Sequence, residues 1–259
     1  MRKAILSLVA VFAVAVVLWA GGDPWKTKPF SQWTEKDVHD ALQNSPWAKA
    51  NLQAQGAWRP DGMTQASGSA SIAGTGSGSA HGSMGDSSNT SAGVMPGQPG
   101  GLEKSAAAEA ARVPYSIFWW SSRTIRAASM RRQVLKGTMT QADAEKAVAA
   151  SPDEYMILVQ ATNMSIFQLR GEKAFDNVAY LQTKKVKAKI SPSHVAFLRG
   201  SDGQSVTGAI FYFPKKSASG EPIISSDEKE IDFYLRVGDA KLLTYFEPKK
   251  MIDSQGEDL

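Results

Sequence analysis

The stretch from residue 62 to residue 101 sets the tightest limit on what this chain can fold into. Over residues 67–101 it reads SGSASIAGTGSGSAHGSMGDSSNTSAGVMPGQPGG, which is Gly, Ser, Ala and Thr with almost no large side chain. Such a segment cannot bury enough apolar area to offset the entropy of ordering it, so a flexible, disordered Gly/Ser/Ala-rich linker is expected, read as residues 62–111. His81 falls inside it and is read as solvated. The sequon Asn89-Thr90-Ser91 is read as chance. The rest of the chain divides around this block: residues 23–61 before it, a domain over 112–253 after it, and a tail at 254–259.

The N-terminus carries Met1, Arg2 and Lys3, then an apolar run over residues 4–20 broken only by Ser7, then Gly21 and Gly22. A basic start, an apolar core and small residues at the exit describe a secretory signal peptide over 1–22. An uncleaved inner-membrane anchor formed by residues 4–20 is the alternative, because the run is near the lower length for a bilayer span. The expected location is therefore periplasmic or secreted. The chain has no cysteine, which excludes disulfides, thiolate zinc sites and a cysteine nucleophile. The formal charge is +4, so any strongly basic surface must be local.

Residues 23–61 are too few to build a core alone, yet they hold Trp25, Trp33, Trp47 and Trp58. Aromatics at that density need a surface to bury against. The expectation is that this helix-plus-strand segment docks on the C-terminal domain, with the four tryptophans as docking residues. The alternative is an adhesive segment that meets a different partner.

Two stretches share one scheme, QWTEKDVHDALQNSPWA over 32–48 and MTQADAEKAVAASPDEY over 139–155. In each, a Thr stands three residues before an Asp, Thr34 with Asp37 and Thr140 with Asp143, and apolar residues follow at helical spacing before Ser-Pro. The Thr and Asp make a variant of the capping box, and Trp33 with Val38 occupy the positions of a hydrophobic staple. Pro46 and Pro152 bias the preceding residue out of the helix. This is grammar for a short helix, used twice. A third helix is expected over 172–182, from the spacing of Phe175, Val178, Ala179 and Leu181.

The other periodic segments read as strands. They are Tyr115 to Trp120, EYMILVQA from Glu154, an alternating Lys/apolar run over 185–190, His194 to Leu198 and VTGAIFYFP from Val206. The turn SDGQ makes the last two a candidate hairpin. Ile231, Phe233, Leu235 and Val237 alternate before Gly238-Asp239, and residues 241–246 return as a second hairpin. The expected fold class is α+β, a mainly antiparallel sheet with about three short helices.

The combination KPFSQWTEKDV…SPWA, then FWWSSRTIRAA, then FYFP and EPKKMID…EDL resembles a group of uncharacterised exported bacterial proteins. The resemblance spans the folded parts of the chain and skips the linker. It implies export and a shared fold, and it carries over no catalytic residue.

Motifs for a nucleophile elbow, a phosphate loop, a zinc protease helix and a dinucleotide fold are all missing. The three histidines, His39, His81 and His194, are too scattered to suggest a metal site. Ser193 beside His194 invites a hydrolase reading, but neighbours on a strand point to opposite faces, so the pair is expected to diverge. The acids of DEKEID, Asp227 to Asp232, could do glycosidase chemistry, but read more simply as the solvated face of a strand. Arg123, Arg126, Arg131 and Arg132, beside Trp119, are candidates for binding an anionic ligand.

Neither a cofactor nor a metal is expected. The expected function is a non-enzymatic binding or assembly component of the cell envelope, whose partner is another envelope protein or an envelope polymer. Membrane contact is expected only through an uncleaved N-terminus. Two readings stand beside it: an envelope-polymer hydrolase, and an anionic-polymer binder acting through the arginines on glycan, with nucleic acid disfavoured by export.

Overall fold

The computed structural model describes residues 22–55, 101–185, 187–225 and 227–259. The signal peptide or anchor over residues 4–20, the linker over 62–100, His81, Trp58 and Val186 lie outside the described residues.

Six α-helices are described: α1 (Pro24–Thr27), α2 (Glu35–Gln43), α3 (Gly101–Ala110), α4 (Arg123–Leu135), α5 (Gln141–Ala149) and α6 (Ser165–Arg170). The strands are β1 (Ala48–Gln53), β2 (Pro114–Trp119), β3 (Glu154–Ala161), β4 (Ala179–Thr183), β5 (Lys189–Ile190), β6 (His194–Arg199), β7 (Val206–Pro214), β8 (Ile231–Val237), β9 (Ala240–Phe246), β10 (Ile252–Asp253) and β11 (Gly256–Glu257). They form a five-stranded sheet in the order β1-β2-β3-β7-β6, a four-stranded sheet in the order β5-β4-β8-β9, and the small hairpin β10-β11. Every pairing among them is antiparallel. The mixed, mostly antiparallel class is as the sequence predicts, while the helices are twice as many as the expected three.

The two larger sheets pack face to face, which is where alternating apolar residues from both can be buried at once. Phe233 of β8 lies 5.7 Å from Phe211 and 6.4 Å from Phe213 of β7, ring centre to ring centre. Trp119 of β2 meets Phe246 of β9 edge-on at 5.2 Å. At one end Phe167 of α6 stacks on Phe175 at 4.5 Å, and Phe197 closes the cluster. Beyond the five-stranded sheet, α2 touches β1 and α4, and α5 packs on α4.

Local chemistry accounts for the two look-alike helices. Thr34 accepts from the Asp37 amide, and the Asp37 carboxylate accepts in turn from the Thr34 amide at 2.9 Å, which closes the capping box of α2. Thr140 caps α5 by accepting from the Asp143 amide at 3.1 Å.

Four expectations are corrected. The helix over 172–182 is a 3-10 turn at Glu172–Phe175 followed by β4. Its apolar residues fit both periods, and pairing of Ala179 with Leu235 and Leu181 with Phe233 places them in the sandwich as a strand. The run over 185–190 is strand only at Lys189–Ile190 among its described residues. Residues 101–110 of the stretch read as linker form α3, which buries Ala106, Ala107 and Ala110. Residues 254–259, read as a tail, carry β11 and a buried carboxylate. Asp258 accepts from the amides of Arg123 at 2.6 Å and Thr124 at 3.0 Å, the two donors left open at the start of α4. Burial pushes the Asp258 carboxyl up, and those two amides pull it back down.

The N-terminal segment is built into this architecture. β1 is an edge strand of the five-stranded sheet, pairing Ala48 with Phe118 and Leu52 with Tyr115. A bulge between those pairs carries Asn51 at φ +56°, a conformation Asn tolerates better than most side chains. Beyond β1, Gln55 and Lys241 exchange two backbone hydrogen bonds of 2.7 Å, so the same segment also reaches the edge of the other sheet.

Candidate functional site

The tryptophans and arginines singled out in the sequence are placed mostly inside the fold. Trp25, Trp33 and Trp47 are buried. Trp25 meets Trp47 edge-on at 5.8 Å, and Trp33 donates its indole hydrogen to the Lys28 carbonyl. Trp119 is fully buried against Tyr155 and Phe246, so no ligand reaches its ring from solvent. Arg123 grips Asp253 through Nε and Nη2, both at 2.9 Å. Arg126 donates through Nη1 to the carbonyls of Ala147, Val148 and Ala150, the open acceptors at the end of α5. Arg131 donates to the Trp33 carbonyl at 2.9 Å and to Gln141 at 3.2 Å. Arg132 alone of the four is exposed, and among the described residues its side chain has neither hydrogen bond nor ion pair. It borders a cavity of about 280 Å³ between α2 and α4, floored by Val38, Leu42 and Leu135.

Ser193 and His194 do not diverge. Ser193 Oγ lies 3.2 Å from His194 Nδ1, because Ser193 precedes the first residue of β6 and the strand alternation does not reach it. The same hydroxyl donates to Glu154 and stands 3.2 Å from the Tyr212 carbonyl. One hydroxyl proton therefore faces two oxygen acceptors, while His194 Nδ1 donates or accepts according to its tautomer. The carboxylate sits on the serine, not on the far side of the imidazole, where a general base needs its orienting partner. The His194 ring is stacked on Tyr212 at 4.0 Å, on an exposed edge strand. His39 is exposed on α2, with Nδ1 3.8 Å from Asp40. Among the described residues no group of three His, Asp or Glu could hold a metal ion.

The late acids and late lysines neutralise one another. Lys184 bridges Glu230 at 2.8 Å and Asp232 at 3.1 Å, and Lys185 pairs with Asp227. Glu228 is buried and accepts from the amides of Lys184 and Lys185, which fixes the turn after β4.

What remains is the outer face of the four-stranded sheet, which the sequence reading missed. With Leu181, Phe233, Leu235 and Leu242 turned into the sandwich, the intervening residues turn out. Register aligns them in rows across the strands. Tyr180 of β4 stands beside Tyr234 of β8, and Tyr234 beside Leu243 of β9. In the next row Lys189 stands beside Gln182, Gln182 beside Asp232, and Asp232 beside Tyr245. On the other side Arg236 stands beside Lys241. Leu243 and Tyr245 are about half exposed, at 52% and 48%. A solvated strand face ordinarily carries small or charged residues, so this row of rings is the exception.

The ring geometry is specific. Tyr180 and Tyr234 stack face to face at 4.7 Å, with planes 19° apart. Lys189 Nζ sits over the other face of this pair, 4.4 Å from the Tyr180 centroid. Lys49 Nζ lies 5.4 Å from the Tyr245 centroid. Burial holds the Lys49 ammonium below its ordinary value, and Glu247 offsets only part of that. Asp232 is held by Lys184, Asp239 lies 3.7 Å from Arg236 and Glu247 pairs with Lys250 at 2.8 Å, so these three acids are already paired. Among the described residues Lys49, Lys189 and Lys241 take part in no ion pair. The only sequence signal was the identity of the outward residues in AYLQT, IDFYLRV and AKLLTYF, where Tyr and Leu fall on the period expected for polar side chains.

Among the described residues no helix is long and apolar enough to cross a membrane. No protein-family model, curated protein or solved structure matches the chain.

Proposed function

We propose that this chain is an exported cell-envelope protein that acts by binding, as a partner or assembly component, and not by catalysis. The observation that carries the reading is the outer face of the four-stranded sheet, where Tyr180, Tyr234, Leu243 and Tyr245 form an aromatic band flanked by unpaired lysines. Keeping large rings on a solvated face has a solubility cost, and a binding role explains their presence. Export is supported by Met1-Arg2-Lys3 ahead of the apolar run and by the resemblance to exported bacterial proteins. The hydrolase alternative has less support. The Ser193 hydroxyl proton is contested by the Glu154 carboxylate and the Tyr212 carbonyl, and the late carboxylates are spent on Lys184, Lys185 and a turn.

The test is fractionation of cells expressing the tagged chain, followed by crosslinking in intact cells and identification of what is bound. Recovery in the envelope fraction, with a crosslinked partner lost on Tyr245→Ala, is the expected result. Recovery in the cytoplasm, or turnover of a hydrolytic substrate abolished by His194→Ala, would overturn the reading.

A further inference from the structure

We propose that the outer face of the four-stranded sheet binds an acidic polysaccharide, a chain carrying carboxylates along its length. This rests on the envelope-binding reading and names the partner class for the same face.

Charge complementarity selects the sign of the partner. Lys189 and Lys241 border the aromatic band without an ion-pair partner, Lys49 lies in the field of Glu247, which Lys250 pairs at 2.8 Å, and the other acids at the face are held by Lys184 and Arg236. A second copy laid face to face would set lysine rows against lysine rows, so self-association on this face is opposed by like charge. An acidic chain crossing the strands meets Lys189 at one end of the face and Lys241 or Lys49 at the other, with hydroxyls and the Gln182 amide between them.

Ring orientation selects among acidic partners. The faces of Tyr180 and Tyr234 are turned on one another and on Lys189, so a nucleobase cannot stack on them without breaking that pair. The upright rings instead present edges and hydroxyl groups, which suit a hydroxyl-rich chain that hydrogen-bonds along its length. An anionic membrane would need apolar side chains to insert, and Leu243 is the one large aliphatic side chain exposed on the face. A protein partner would need an anchor pocket, and the α2–α4 cavity opens elsewhere.

The experiment measures equilibrium binding of the full chain, in mild detergent, to a fluorescent polyuronate. A neutral glucan of equal length, a single-stranded DNA oligomer and phosphatidylglycerol vesicles are measured in parallel. The expected result is binding to the polyuronate alone, weakening steeply with salt. The double substitution Lys189→Glu with Lys241→Glu then lowers affinity about tenfold or more and flattens the salt dependence. Tyr245→Ala weakens binding, and Arg132→Glu, in the distant groove, leaves it unchanged. Thermal melts confirm that each variant is folded. Equal or tighter binding to DNA, binding to vesicles without polyuronate, or loss on Arg132→Glu but not on the lysine pair each overturns the proposal. A chain found in the envelope with a crosslinked protein partner, but with no affinity for polyuronate, keeps the binding reading and removes this one. A cytoplasmic chain removes both.

Discussion

The indole of Trp47 donates its hydrogen to the main-chain oxygen of Asp258 at 2.6 Å, joining positions 211 residues apart. The two are tied twice over to the same helix. Trp47 accepts through its carbonyl from the Trp119 amide at 2.8 Å, just ahead of α4, and Asp258 caps the first turn of α4 with its carboxylate. Trp47 thus works as a structural anchor between the first and last described segments. Replacing it with Phe should keep most of the packing, strand the Asp258 carbonyl, and cost about 1–3 kcal/mol. Replacing it with Ala should cost about 3–5 kcal/mol. Urea unfolding of both variants checks this, and a Phe variant as stable as the parent would show that the hydrogen bond contributes nothing.

The arginines should separate by stability. Arg126→Ala removes the donor to three carbonyls at the end of α5 and should destabilise by roughly 2 kcal/mol. Arg131→Ala frees the Trp33 carbonyl and should cost about 1 kcal/mol. Exposed Arg132→Ala should stay within about 0.5 kcal/mol of the parent. Denaturant midpoints for the three variants test the order, and a loss at Arg132 as large as at Arg126 contradicts it.

Gly238 sits in the β8–β9 turn at φ +61°, and a Cβ there would stand 2.7 Å from Ala107 Cβ of α3. Gly238→Ala therefore meets both a disfavoured backbone and a clash, and should cost about 2–3 kcal/mol. Adding Ala107→Gly removes the clash but leaves the backbone term, so the pair should recover only part of the loss. A double-mutant cycle by thermal unfolding reads the coupling directly. Strict additivity would mean that α3 does not press on the turn.

Asp37 gives a pH dependence with a definite sign. Burial pushes its carboxyl up, but the Thr34 amide, the Thr34 hydroxyl and Lys28 together outweigh it and hold the carboxyl below its ordinary value of 3.8. A lowered folded value means that the unfolded chain binds the proton more readily. The stability Asp37 contributes is thus present above pH 3.8 and is lost as the pH falls through the lower folded value. Asp37→Asn should cost about 1 kcal/mol at neutral pH, and its difference from the parent should shrink on acidification. Stability curves of the two proteins against pH test this, and a constant difference would falsify it.

The legible parts of the fold are those whose cause is local. Thr34 with Asp37 and Thr140 with Asp143 announce α2 and α5 because cap and partner are three residues apart. β8 and β9 announce themselves through alternation around Gly238-Asp239. The longest described helix, α4, was missed because its buried face is mostly small: Thr124, Ala127, Ala128 and Ser129 around Ile125. Small residues give little periodic signal; Ser122 caps the helix locally at the Ile125 amide, but the carboxylate on its first two amides, Asp258, arrives 135 residues after Arg123.

The candidate site follows the same rule. Arginines crowded in sequence look like a patch, yet their partners are carbonyls of α5 and Trp33 and the carboxylate of Asp253, which no local reading supplies. Tyr180, Tyr234 and Tyr245 sit on three strands and become one surface only through strand register. Ser193 and His194 were misjudged by one residue, because a rule valid inside a strand was applied at its start.

The bond between Trp47 and Asp258 also dictates the order in which this molecule can be finished. A polypeptide emerging N-terminus first brings out Trp25 and Trp47 early, but the groups that lock them arrive with Ser254 and Asp258. Until then the Arg123 and Thr124 amides at the start of α4 lack their carboxylate. Native contacts so far apart in sequence make for slow, late consolidation. The seating of Trp25 and Trp47 is therefore a C-terminal event, although both residues stand near the N-terminus.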